Sequence, residues 1–330
     1  MKKAIMFVAI SLLFLFGTQA MAGPYKMRLS HQMPESHFLA KEIQEFKEMV
    51  EKSTDGQVIV EIYPAAQAFK PKELIPAVVS GAIESGLAIN FQWAGMIPAM
   101  DTFIIPFLLT DIDLIEKAMD GEVGTRFNHM LQAKGVVPIL WLLQTTRNVY
   151  TSNEKVLKMP ADFKGKKMRG TSKIMNLGSE ALGAATMPVS GPEVYTALQR
   201  GTLDIGLTGP GAALQRHYYE VQKYGTVAAT FSVIHVVFVN ANFWNSLPAD
   251  LQKSVSQSAA AIQKKGFDVS RQEIQKAIDE LSKKMTIHIQ TPEEEAAWRE
   301  VMVQPAINYY KSKTGSEGEE LISLIEQLKR

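Results

Sequence analysis

Arg169 closes the run "FKGKKMRG" and is the side chain here whose type suits recognition of a carboxylate. Its planar guanidinium can donate two parallel hydrogen bonds to one carboxylate, which a lysine cannot do. The plain alternative for such a basic run is an arginine solvated at a strand edge among its neighbours. His31 and His37 follow the first apolar run, but two histidines without a third ligand are weak grounds for a metal site. Ordinary loop or packing roles are expected for both. Glu293, Glu294 and Glu295 come directly after Thr291-Pro292, a helix-start signature, so they read as a solvated first turn near the positive end of a helix dipole.

Much chemistry is excluded. The chain has no H-E-x-x-H, no G-x-S-x-G, no Walker loop and no EF-hand pattern, so an enzyme would need a dispersed site. The glycines of "GLTGPGAAL" are spaced G-x-x-G-x-G, which is not the dinucleotide fingerprint. Cysteine is absent altogether, which removes thiolate catalysis, cysteine-bound zinc and disulfides. No cofactor and no metal are expected.

The 330 residues are 46% hydrophobic and 21% charged, enough for one or two well-buried cores. Lys2 and Lys3 precede an apolar run from Ala4 to Phe16 and then Ala20-Met21-Ala22, the pattern of a secretory signal peptide over residues 1–22. A run of about 13 apolar residues is short of the roughly 20 that span a bilayer. Removing the two lysines takes Lys+Arg from 35 to 33 against 34 acids, a formal charge of −1. The remainder is expected to be soluble in a bacterial periplasm, with no membrane insertion of its own and no nucleic-acid partner.

The elements that must position these residues follow a β-α-β rhythm. "YKMRLSH" reads as a strand, "FLAKEIQEFKEMVEKST" as a helix and "GQVIVEIYP" as a second strand, the alternation of a parallel sheet. It continues through "PKELIPAVVSGAIESGLAI" and "GVVPILWLLQ" and resumes from Asp162 with "KKMRG", "KIMNLGSEALGA" and "EVYTALQRGTLDIG", which implies two α/β lobes. Residues 248–285 have helical propensity broken only at Gly266. Leu251, Val255, Ile262, Ile274, Ile278, Leu281 and Met285 form an apolar stripe without sustained heptads. At about 1.5 Å per residue, such a helix can reach across both lobes.

The segments "PADFKGKKMRGTSKIMNLGSEALGA", "MPVSGPEVYTALQRGTLDIG" and "YYEVQKY" resemble those of solute-binding proteins of TRAP transporters, the tripartite ATP-independent periplasmic uptake systems. "YPAAQ", "PFLLTD" and "VNANFWNSLPADLQ" match further family segments in the same order. The resemblance implies the α/β two-lobed periplasmic binding protein fold, with a ligand cleft between the lobes and a long helix spanning both. It places one lobe at residues 23–144 plus 234–273 and the other at 145–233 plus 274–330.

It also implies a function: an organic acid is bound and delivered to separate membrane permease subunits. Arg169 falls where the family's arginine grips the ligand carboxylate, and Arg147 where many members carry a second arginine at the lobe crossing. Asn90, Phe91, Gln92 and Trp93 align with first-lobe cleft residues, with core packing as the rival role for Phe91 and Trp93. Thr208, Gly209, His31 and His235 complete the candidate contacts.

Two departures matter. Leu207-Thr208-Gly209-Pro210 stands where the family usually has Glu-Asn-Pro, so the Thr208 hydroxyl is the candidate replacement for an asparagine. Gly191 and Pro192 stand where a bulky aromatic is frequent, which predicts a roomier or differently shaped pocket. Two other readings stay open: a periplasmic sensing subunit that presents the acid to a signalling receptor, and a periplasmic hydrolase or lyase with a dispersed site.

Overall fold

The computed structural model describes residues 23–329, so the expected leader at 1–22 lies outside the described residues. The chain opens with β1 (Tyr25–His31), α1 (Phe38–Ser53), β2 (Val58–Tyr63), α2 (Pro71–Ser80) and β3 (Ser85–Ile89). Helices α3 (Ile112–Asp120) and α4 (Glu122–Gln132) lead into β4 (Val136–Thr145). Next come β5 (Asn148–Ser152), β6 (Lys167–Gly170), α5 (Lys173–Ala181), β7 (Ala185–Pro188), α6 (Val194–Gln199), β8 (Gly206–Thr208), α7 (Pro210–Gln215) and β9 (Tyr224–Ala228). The chain ends with β10 (Val233–Asn240), α8 (Ala241–Ser246), α9 (Ala249–Ser282), β11 (Thr286–Ile289) and α10 (Pro292–Leu328).

Each of the two lobes has its own main sheet. The first has strand order β2-β1-β3-β10-β4 and the second β11-β9-β5-β8, with β6 and β7 paired beside the latter. β1 runs parallel to β2 and β3, as the alternation of strands and helices predicts, but β10 is antiparallel to both β3 and β4. The reason is in the register. Val233 pairs with Thr145, so the chain leaves the first sheet at the end of β4 and re-enters beside that same end, and β10 must run backwards. The expected parallel sheet is therefore a mixed one.

Helix α9 runs unbroken through Gly266. A Cβ on Gly266 would lie 3.3 Å from both Leu142 Cδ2 and Glu42 Oε1, so the glycine lets the helix lie close on β4 and α1. That contact offsets the roughly 1 kcal/mol that glycine costs in a helix interior. Its N-terminal half buries Leu251, Val255, Ala259 and Ile262 in the first-lobe core, and Leu281 near its end is fully buried as well. The leucine, valine and isoleucine side chains among these contribute about 1.5–3 kcal/mol each when removed from water.

Helix α10 starts at a capping box between Thr291 and Glu294. Of the three expected surface acids, Glu294 is buried instead, and its Oε2 lies 2.6 Å from His288 Nε2. Further along, Trp298 is fully buried edge-on to Tyr150 and Phe163 and donates from Nε1 to the carbonyl of Lys158. Tyr310 hydrogen-bonds Thr102 at 2.5 Å. α10 thus ties segments from early and middle parts of the chain together.

Candidate ligand-binding cavity

Strand ends converge on one cavity of about 690 Å³. Its first-lobe wall includes Gln32 after β1, Ile89, Phe91 and Gln92 at the end of β3, and Gln144 near the end of β4. The facing wall includes Arg169 and Gly170 of β6, Val189 and Gly191 after β7, Leu207 and Thr208 of β8, then Gly209 and Arg216. Binding sites in α/β folds characteristically form beyond the carboxyl ends of strands, where loops diverge. Lys70, Lys72, Glu73 and Glu193 line it as exposed residues, and their charges cancel.

Arg169 is buried, with 8% of its surface exposed. Its backbone N–H donates to Ile205 O, which holds β6 beside the segment leading into β8. Its guanidinium is braced from two sides: Nε donates to Val189 O at 3.0 Å and Nη1 to Leu207 O at 2.6 Å. Two of five N–H donors are used, leaving three for other partners. Burial and the nearby Arg216 cation both lower its pKa, while the Tyr218 hydroxyl opposes them. An arginine nonetheless stays charged in proteins.

Arg216, just after α7, is a second cation on the same wall that the sequence reading missed. Its guanidinium lies against Gly191: a Cβ there would stand 2.8 Å from Nη1 and 3.2 Å from Cζ. The space beside Gly191 is therefore filled by an arginine, and the expected extra room is not simply open. A side chain deleted on one segment leaves space for a long one from elsewhere, and this was the available signal. Burial lowers the Arg216 pKa against the favourable effect of Tyr218.

Gln144, also missed, has its Oε1 2.8 Å from His235 Nε2. With that oxygen engaged, its amide nitrogen lies toward Gly209, 3.2 Å from where a Cβ on that glycine would sit. Gln92 lines the cavity while its Oε1 accepts from the Ile89 N–H, and Phe91 presents a half-buried ring. Thr208, with 7% of its surface exposed, and Gly209 follow on the opposite side. The arrangement has two cations, neutral amides, a hydroxyl and an aromatic face, which suits binding a polar anion.

The family model "Bacterial extracellular solute-binding protein, family 7" matches residues 29–313. The chain belongs to that family. It is 31% identical to the C4-dicarboxylate-binding periplasmic protein DctP of Rhodobacter capsulatus over 94% of this chain and 93% of that protein. Among solved structures it is similar to a TRAP periplasmic solute binding protein from Desulfovibrio salexigens with bound orotic acid, at 26% identity and TM-score 0.86 over 92% of this chain and 98% of that one. It is also similar to one from Sulfurospirillum deleyianum with bound succinate, at 25% identity and TM-score 0.84 over 93% and 100% of the two chains. This is a solute-binding protein of the TRAP type, a receptor and not an enzyme.

Not all expected contacts of this solute-binding protein line the cavity. Arg147 sits at the corner between β4 and β5, away from the lining, where its Nη1 donates to the carbonyls of Thr110 and Thr146 and to the Thr146 hydroxyl. Carbonyls at the chain crossing have captured the group expected beside Arg169. Trp93 takes the core alternative: it is fully buried and meets Phe238 edge-on at 4.7 Å. Asn90 is a fastener, donating to Met100 O and accepting from the Ile234 N–H.

His31 and His235 are buried behind the wall and do not line it. Burial lowers their pKa values to about 4 and about 3, so both are neutral at physiological pH. His31 Nδ1 accepts from the Met33 N–H. His37 caps α1 by accepting from the Leu39 N–H. Among the described residues, no group of three or more His, Cys, Asp or Glu is placed to hold a metal ion, and no helix is long and apolar enough to cross a membrane.

Proposed function

We propose that this chain is the extracytoplasmic solute-binding subunit of a TRAP uptake transporter, which takes a small organic acid into the cavity and hands it to membrane permease subunits. The observation that carries the reading is the Arg169 guanidinium, braced by Val189 O and Leu207 O, buried in the cavity wall with donors to spare. A carboxylate offered there gains charge-assisted hydrogen bonds worth about 1.5–3 kcal/mol each. The relatives with bound orotic acid and succinate hold small organic acids, which agrees with that chemistry.

In this reading residues 1–22 are a cleaved leader that delivers the protein to the periplasm. The lobes, residues 23–144 with 234–273 and residues 145–233 with 274–330, close on the acid. Closure is favoured only by contacts that the open form lacks, so groups from both walls, Gln144 and Gln92 on one and Arg169 and Thr208 on the other, must share the solute. The test is calorimetric titration of residues 23–330 with organic acids, amino acids and neutral sugars. Binding of organic acids that falls at least about 100-fold in Arg169→Ala supports the reading. Unchanged acid affinity in that variant, or binding confined to neutral or cationic compounds, overturns it.

A further inference from the structure

We propose that the free edge of β11, with the lysine-lined recess at its start, is a docking site for an extended acidic segment of a partner protein, which joins the second sheet as a further strand beside β11. The surface lies away from the solute cavity, so the proposal stands or falls independently of the organic-acid reading.

Three observations carry it. The first is the edge. β11 is the outermost strand of the sheet β11-β9-β5-β8, and its neighbour there is β9. The N–H groups of Thr286 and Gln290 donate inward, to Lys223 O and Val227 O. Backbone groups alternate in direction along a strand, so those of Ile287 and Ile289 face outward, where an incoming strand can pair with them. The strand holds neither the proline nor the lysine that commonly protects an edge, and Ile289 is 56% exposed on it.

The second is charge. The recess is lined by Lys223, Lys283 and Lys284 and by no acid. Lys283 pairs with Glu280 at 2.6 Å, and the nearby Glu220 is engaged by the Tyr195 hydroxyl at 2.9 Å and by His217. Among the described residues Lys223 and Lys284 have no carboxylate partner, and Lys284 lies over the Tyr219 ring, 4.6 Å from its centre. Two uncompensated cations at the start of an open edge favour glutamate or aspartate on the segment that docks there.

The third is an acceptor without a donor. Gln222 lines the recess and is 3% exposed; its Nε2 donates to Val221 O, but its Oε1 has no hydrogen-bond partner. A buried oxygen of this kind calls for a donor. A simple carboxylate anion supplies acceptors alone, whereas an acidic peptide brings N–H groups together with its carboxylates. The position keeps the two sites apart: β8 and β9 run the same way, each antiparallel to β5, and the cavity takes Leu207 and Thr208 from the end of β8 while the recess opens before the start of β9.

The experiment is fluorescence anisotropy on residues 23–330 with a labelled peptide alternating glutamate and valine, beside a control peptide with lysine in place of glutamate. Wild type is expected to bind the acidic peptide and to bind the control at least about 10-fold more weakly. The double variant Lys223→Gln with Lys284→Gln should weaken binding roughly 3–10-fold. Ile289→Pro removes one outward N–H and no bond to β9, so it should weaken binding by a similar factor while thermal unfolding stays near wild type.

An acidic peptide that wild type does not bind, or binds no better than the control, overturns the docking site. Binding lost in the lysine variant but kept in Ile289→Pro overturns strand addition. Wild type that ignores the peptide yet sediments with phosphatidylserine vesicles makes the patch a membrane-facing one and overturns it too. Solute affinity should be the same in all these variants, so a failure here leaves the organic-acid reading untouched.

Discussion

Behind the cavity wall, His235 Nε2 and Gln144 Oε1 meet at 2.8 Å, and this contact sets which end of the Gln144 amide is turned away from the histidine. The two residues lie on the neighbouring strands β10 and β4, so the bond is built into the first sheet. His235→Phe keeps a ring and removes the donor, leaving the amide unbraced. Solute affinity is expected to fall about 3–10-fold, the worth of one neutral hydrogen bond. Calorimetry checks it, and equal affinities would show that the brace has no part in binding.

Arg169→Lys separates fork geometry from charge. A lysine ammonium has three donors and no plane, so it cannot hold Val189 O and Leu207 O and also present a paired face to a carboxylate. Affinity for the preferred acid should fall by about 1.5–3 kcal/mol, and lysine should recover only part of what alanine loses. Titrating both variants beside wild type decides this.

Gly209 and Gly211 flank the start of α7 but differ in what they face. A Cβ on Gly209 would lie 2.8 Å from Thr145 Cγ2, a stiff β-branched side chain at the crossing between the lobes. Its φ of −71° suits alanine, so the conflict is purely steric. A Cβ on Gly211 meets only His37 Nε2, at an ordinary 3.6 Å. Gly209→Ala should cost about 1–3 kcal/mol of stability and weaken solute binding, while Gly211→Ala changes stability little. Thermal unfolding of the two variants, with and without solute, makes the comparison.

Asp101 introduces a pH dependence. It is 5% exposed, its Oδ1 has no hydrogen-bond partner, and burial pushes its pKa up to about 8. The folded chain therefore keeps a proton that the unfolded chain releases near pH 4, so stability declines as pH rises from about 4 to about 8 and is level above that. His31 and His235 act oppositely: their lowered values cost stability only as pH falls below about 6.5, and they contribute no slope above it. Asp101→Asn should reduce the decline between pH 6.5 and 8 and match wild type most closely at low pH, while the part that remains comes from Glu42, whose buried carboxyl is also pushed up to about 8. Chemical denaturation across that range checks it, and parallel curves for the two proteins would contradict the assignment.

Much of the scaffold was legible because its signals are local. "YKMRLSH" is β1 residue for residue, and α1 and β2 lie within the stretches whose periodicity predicted them. Thr291-Pro292 and the acids after it announced the start of α10, a signature that spans only a few residues. The antiparallel course of β10 was not legible, because it depends on the chain returning from the second lobe beside the end of β4.

By itself the sequence determined the α/β elements, their order and the strand that carries Arg169, since backbone propensity and apolar period act over a few residues. Only the tertiary structure decided which side chains line the cavity. Phe91 and Trp93 are two positions apart on one turn, yet one lines the cavity and the other is sealed against Phe238. Arg147 was drawn to carbonyls at the crossing, while Arg216 reached the space above Gly191. The difference is physical: a side chain's direction is set by neighbours that arrive from distant parts of the chain, and packing, not spacing, chooses among them.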